Sequence, residues 1–146
     1  MPDYAHDNIV PYKDSGLSKK LQVAGMFNDI AFRYDFLNRF LSAGIDVRWR
    51  KKAIRQLAQK KPKTLLDVAT GTADVAIMAS GILKPDKITG IDISDGMLEL
   101  GRKKIQKLGL ESTIELLNGD CETINFKNDS FEAVTVAFGV RNFENL

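Results

Sequence analysis

Four short apolar segments, each ending in a tip of small and polar residues, constrain the fold of this 146-residue chain more than anything else in it. They occupy 64–73, 87–92, 113–121 and 133–142 and carry the phrases DVATGTA, ITGID, ELLNGDC and VTVAFGVRN. Helix-like stretches separate the first three, and strands alternating with helices are the pattern of parallel βαβ units. A parallel sheet brings the carboxyl ends of its strands to one edge, and ligands bind along that edge. The spacing predicts strands at Thr64–Val68, 87–91, 113–117 and 131–138. One helix is expected to start at 72–74 and end with Gly81 just past its last turn. Another should follow Ser94 or Asp95 and turn Met97, Leu100, Gly101, Ile105 and Leu108 inward before Gly109.

The part before Thr64 has a different rhythm. Residues 1–18 are polar and hold Pro2, Pro11 and Gly16, which predicts an arm rather than a packed element. Val23, Met26, Phe27, Ile30, Ala31, Tyr34, Leu37 and Leu41 then recur at three- and four-residue steps, the mark of an amphipathic helix. Residues 42–44, Ser-Ala-Gly, end it, and Asp46 is expected to cap a second helix whose buried stripe is Trp49, Ala53, Ile54 and Leu57. Pro62 closes that helix. The chain thus divides into an N-terminal arm with two helices, 1–63, and the first half of a doubly wound α/β unit, 64–146.

Composition narrows the class. One cysteine, Cys121, allows no intrachain disulfide and suits a reducing cytoplasm. With one histidine and one cysteine there is no ligand set for structural zinc or an iron–sulfur cluster, and no metal site is expected. No run reaches the 18 or more apolar residues of a membrane span. Residues 1–63 hold 13 basic and 6 acidic side chains, whereas 64–146 hold 8 and 13. The cluster Arg48, Arg50, Lys51, Lys52, Arg55, Lys60, Lys61 and Lys63 reads first as a solvated helix face and second as a surface for anionic lipid. Without interleaved aromatic residues it is not a nucleic-acid groove.

The tips themselves carry chemistry. In 67–74 a single glycine, Gly71, stands where strand turns to helix, so a ligand can approach the backbone closely beside free helix N–H groups. Positions 69 and 73 are alanines, so the loop is not GxGxxG, and no GxxxxGK[ST] loop exists; a nucleoside with a small tail fits better than a dinucleotide or a triphosphate. Asp92, 21 residues beyond Gly71, sits where a carboxylate accepts both ribose hydroxyls, although alone it reads equally well as a helix cap. Asp120 and Cys121 would lie beside a base, the carboxylate accepting an exocyclic amine and the Cys121 N–H meeting a ring nitrogen. Arg141 and Asn142 follow the fourth strand and are candidates to touch an acceptor, with a surface salt bridge as the alternative for Arg141. His6 is expected to be solvent-exposed.

Residues 34–42, YDFLNRFLS, lead to Trp49-Arg50; with LDVATGTAD and AFGVRNF they resemble the UbiE/COQ5 family of S-adenosylmethionine-dependent menaquinone and ubiquinone C-methyltransferases. The likeness covers essentially 15–146. It implies a class I, Rossmann-like methyltransferase fold, with strand order 3-2-1-4 for this portion of a seven-stranded sheet. Strand four would then be an uncovered edge, and the chain would be the N-terminal portion of a longer enzyme, with weak cofactor binding and little turnover by itself.

By the same resemblance, S-adenosyl-L-methionine would contact Gly71, Thr72, Asp92, Asp120 and Cys121. Ala137 stands where the family often has a serine, so a backbone contact is expected there. Arg141, Asn142 and Tyr34 would form the quinol side. Asp46 replaces a common histidine, a change expected to alter local packing more than chemistry. The implied reaction is methylation of a ring carbon of a polyprenylated 1,4-naphthoquinol, demethylmenaquinol to menaquinol, leaving S-adenosyl-L-homocysteine. Another aromatic acceptor, or a non-catalytic nucleoside-binding module, remains the alternative. The implied setting is cytoplasmic, with peripheral membrane contact by the N-terminal helices and a homodimer as further expectations.

Overall fold

The structure is a computed structural model and describes residues 10–13, 15–42 and 44–137, with the side chains of Asn38 and Arg39 excepted. His6, Phe138, Arg141 and Asn142 lie outside the described residues. In chain order the elements are α1 (Lys19–Leu41), α2 (Ile45–Leu57), a single 3-10 turn (Ala58–Lys60), β1 (Thr64–Val68), α3 (Asp74–Leu83), β2 (Lys87–Asp92), α4 (Asp95–Lys107), β3 (Ile114–Asn118) and β4 (Ala133–Val136).

The four strands form one parallel sheet in the order β3-β2-β1-β4, as the resemblance implied. Alternation along the strands sends side chains to two faces. Leu65, Ile88, Ile114 and Leu116 pack with Ala73, Val75, Ala76 and Ala79, Leu98 and Ile105, and with Ile54 of α2. Leu66, Val68 and Ile91 pack on the other face with Cys121, Phe126 and Phe131, the two phenylalanines meeting edge to face at 5.0 Å. Gly90 in β2 is required for close approach: a Cβ there would come within 2.6 Å of Leu116 Cδ2 and 2.9 Å of the Thr70 side chain.

Several local expectations are corrected. Gly81 lies inside α3; the helix instead ends on Lys84, which takes the left-handed conformation at φ 52. In α4 Met97, Gly101 and Ile105 are buried as expected, but the fourth buried residue is Leu98, with Leu100 only half-buried and Leu108 exposed, because burial follows the 97-98-101-105 face. Ser94 is the α4 cap, its Oγ accepting from the Met97 N–H. Asp46 does not cap α2. Gly44 occupies that position, and Asp46 sits buried in the first turn, accepting from Ser42 Oγ at 2.7 Å and pairing with Arg50. Trp49 is 66% exposed and Ala53 is exposed, leaving Ile54 as the buried residue of the predicted stripe and Leu57 half-buried. Leu37 and Leu41 of α1 are also exposed. The fourth strand is shorter than predicted, Ala133–Val136.

Candidate functional site

The loop after β1 has an unusual backbone. Ala69, Gly71 and Ala73 all take positive φ, at 53°, 58° and 64°. A left-handed conformation costs a residue with a Cβ about 1–2 kcal/mol, so two alanines are held there against their preference. The alternation makes the chain turn sharply from β1 into α3 beside β2. Asp92 at the end of β2 fixes that turn, its Oδ2 accepting from the Gly71 N–H at 2.8 Å and its Oδ1 from the Ser94 N–H at 2.9 Å. Burial raises the Asp92 pKa while these N–H bonds pull it down, and burial prevails.

Beneath the loop lies Asp67, 1% exposed. Thr70 Oγ1 donates to its Oδ2 at 2.6 Å and Thr135 Oγ1, from β4, to its Oδ1 at 2.7 Å. Burial pushes this carboxyl up to about 6, against the two hydroxyls and the Arg50 charge.

One face of α1 forms the opposite wall and is fastened to the tips of β1, β2 and β3. Lys20 Nζ donates to Asp120 Oδ2 at 2.6 Å and Glu122 Oε2 at 2.9 Å, beyond β3. Asn28 Oδ1 accepts from Ser94 Oγ at 2.7 Å and the Gly96 N–H at 2.9 Å, beyond β2. Asp35 Oδ1 accepts from Thr72 Oγ1 at 2.6 Å, beyond β1, and Asp35 also pairs with Lys104. Steps of eight and seven residues keep these three side chains on one side of the helix. Burial disfavours ionisation of Asp120, but bonds from the Lys20 ammonium and the Glu122 N–H outweigh it and lower its pKa. Cys121 is half-buried, and burial with the neighbouring Asp120 charge pushes its thiol up to about 11, so it is no nucleophile at neutral pH.

Between α1 and the strand tips runs an open cleft of about 1010 Å³, its mouth included. Tyr34, Gly71, Thr72, Asp92, Asp120, Cys121 and Ala137 all line it, so every described residue of the predicted site meets in one place. Lys20, Asp35, Arg50, Asp67 and Asp74 line it too and were not predicted from the sequence as site residues, although all but Lys20 belong to the segments that carry the family resemblance. Arg50 in particular does not belong to the solvated face of α2. Its side chain is 10% exposed and pairs with Asp74 at 3.2 Å and Asp46 at 3.5 Å. Its i+4 spacing from Asp46 was the available signal. No group of residues suited to hold a metal ion occurs among the described residues.

The model of the ubiE/COQ5 methyltransferase family matches residues 15–146. The chain belongs to that family. Among its relatives in the family, a demethylmenaquinone methyltransferase of Bacteroides fragilis is 47% identical over 99% of this chain and 58% of its own length. One from Porphyromonas gingivalis is 45% identical over 96% of this chain and 57% of its own. A ubiquinone/menaquinone biosynthesis C-methyltransferase of Geobacter sulfurreducens is 45% identical over 83% and 48%. The chain therefore spans about half the length of these relatives. Of solved structures, a Bacillus halodurans protein assigned as a methyltransferase matches 59% of this chain and 36% of its own, at TM-score 0.51 and 29% identity. A SAM-dependent methyltransferase from Aquifex aeolicus matches 59% and 48% at TM-score 0.50 and 23% identity, which supports the fold.

Proposed function

We propose that the protein transfers a methyl group from S-adenosylmethionine to a ring carbon of a polyprenylated 1,4-naphthoquinol, leaving S-adenosylhomocysteine. The observation that carries this is the convergence of Gly71, Thr72, Asp92, Asp120 and Cys121, from three successive strand tips, in one cleft of a ubiE/COQ5 chain. The cleft chemistry fits the cofactor. Five acidic residues with partly exposed side chains line the cleft, Asp35, Asp74, Asp92, Asp120 and Glu122, and suit a ligand that carries an ammonium and a sulfonium. When bound, it supplies an electrophilic methyl group.

The residues of the chain then divide the work. Asp92 accepts from the ribose hydroxyls while keeping Gly71 in place, and Asp120 accepts from the adenine amine, with the Cys121 N–H toward a ring nitrogen. Gly71 and Thr72 border the tail and Ala137 offers backbone contact. On the acceptor side, a quinol carbon is nucleophilic once its neighbouring hydroxyl ionises. Arg141 stabilises that quinolate, directly or through water held by Asn142, and Tyr34 closes the wall; a guanidinium is too weak a base to take the proton itself. Alignment of carbon and methyl does most of the rest. The N-terminal arm and helices, 1–63, serve as substrate lid, the basic surface of the helices resting on the inner face of the membrane. No described helix is long and apolar enough to cross one.

Incubating the full-length protein with methyl-labelled cofactor and a demethylnaphthoquinol tests the proposal. Label is expected in the naphthoquinone ring. Label transferred only to a benzoquinol or to another aromatic, or to none, would overturn it.

A further inference from the structure

The strand order lays out the cleft as a line. Asp120, the base end, lies beyond β3; Asp92, the ribose position, lies at β2; and the ring of Gly71, Thr72 and Asp74 lies beyond β1. A nucleoside placed on Asp92 with its base toward β3 must send its 5′ tail toward β1. The tail of the proposed cofactor ends in an ammonium and a carboxylate. Carboxylates are abundant around it, whereas a cation would complement the tail carboxylate, and the described lining offers two, Lys20 and Arg50. Lys20 stands at the wrong end, bonded to Asp120 and Glu122. Lys104 is held by Asp35, Asp74 and Thr72 and is not among the residues lining the cleft. Arg50 is at the β1 end, in the cleft wall, with its guanidinium steadied by Asp74 in the first turn of α3 and by Asp46 one turn back on α2.

We infer that Arg50 binds the carboxylate of the cofactor's amino-acid tail, and that the Asp46–Arg50–Asp74 arrangement preorganises the guanidinium for it. This rests on the proposed cofactor. A fixed arginine presents its N–H groups in a planar fork that matches a carboxylate, and fixing it before binding removes part of the entropic cost. The same arrangement explains why α2 places a long basic side chain inward while Lys51, Lys52 and Arg55 beside it stay in solvent.

The test compares two ligands that share the adenosine half. S-adenosylhomocysteine has the tail carboxylate, and 5′-methylthioadenosine lacks it. Calorimetric titration of the full-length protein should show Arg50→Gln weakening S-adenosylhomocysteine by about 10- to 100-fold, the range for a lost charge-assisted pair, with methylthioadenosine changed by less than about twofold. Arg50→Lys, which keeps the charge between Asp46 and Asp74 but loses the fork, should fall between. A third measurement needs no variant: the native protein should bind the methyl ester of S-adenosylhomocysteine about 10-fold or more weaker than the free acid. Equal weakening of both ligands by Arg50→Lys, or an ester bound as well as the acid, would overturn the assignment while leaving the cofactor in place. A native protein that binds neither nucleoside would overturn the cofactor reading itself, and the assignment with it.

Discussion

Asp67 offers a sharp pH prediction. Its carboxyl is enclosed by β1, β4 and the loop, both oxygens are bonded to threonine hydroxyls, and burial raises its pKa from 3.8 to about 6. The unfolded chain loses this proton near 3.8, whereas the folded chain keeps it until about 6. Between those values the folded state binds more protons, so stability falls as pH rises through the window. Below it Asp67 has no effect; above it the ionised carboxylate costs the fold ~3 kcal/mol, from about two pKa units at 1.36 kcal/mol each. Asp92 is shifted in the same direction, so the native curve alone does not isolate Asp67. Asp120 is shifted down, and its contribution is lost only at lower pH, as pH falls through its depressed pKa. The assay is urea unfolding of the native protein and Asp67→Asn at a series of pH values from about 4 to 7. Asparagine keeps an oxygen acceptor for one threonine and cannot ionise. The native protein should lose ~3 kcal/mol relative to the variant across the window. Parallel curves would refute the argument that burial, rather than the two hydroxyls and Arg50, decides the state of Asp67.

Other perturbations have equally local causes. Ser94→Ala removes the α4 cap and the hydroxyl given to Asn28, and should lower unfolding free energy by about 1–2 kcal/mol in urea. Gly101→Ala would set a Cβ 2.7 Å from Leu116 Cδ1 and 3.2 Å from the Thr72 carbonyl carbon, so it should cost about 1–3 kcal/mol and displace the β1 loop. Ala69→Gly relieves a left-handed alanine but adds freedom to the unfolded chain, so the melting temperature should hold or rise slightly; a loss above about 1.5 kcal/mol would contradict the loop geometry.

The sheet was legible because its signals are local. Apolar runs such as LLDV and ITGID end in turn residues, and β1 matches the predicted bounds, while β2 and β3 differ by a residue at their ends. The residues of the cleft were legible where they sit on strand tips, since topology alone gathers Gly71, Asp92, Asp120 and Cys121. What was hidden depends on contacts distant in sequence. Arg50 reads as one of a basic cluster until Asp46 and Asp74 enclose it. Lys20 acquires its role only by meeting Asp120, 100 residues away. Asn28 and Asp35 interrupt the apolar stripe of α1 as ordinary polar residues, yet they fasten the helix to α4 and the β1 loop. Gly81 misled because a glycine within a helix and one beyond it look alike in sequence, and Lys84 took the left-handed position instead.

Whether the cleft is a nucleoside site anchored on Asp92 is decided by titrating S-adenosylhomocysteine against the full-length protein and its Asp92→Ala variant. Binding by the native protein is expected, with a loss on the order of 100-fold or more in the variant, because the ribose hydroxyls lose their charged acceptor and Gly71 loses its anchor. Equal affinity in the two proteins, or no binding by the native one, would contradict it.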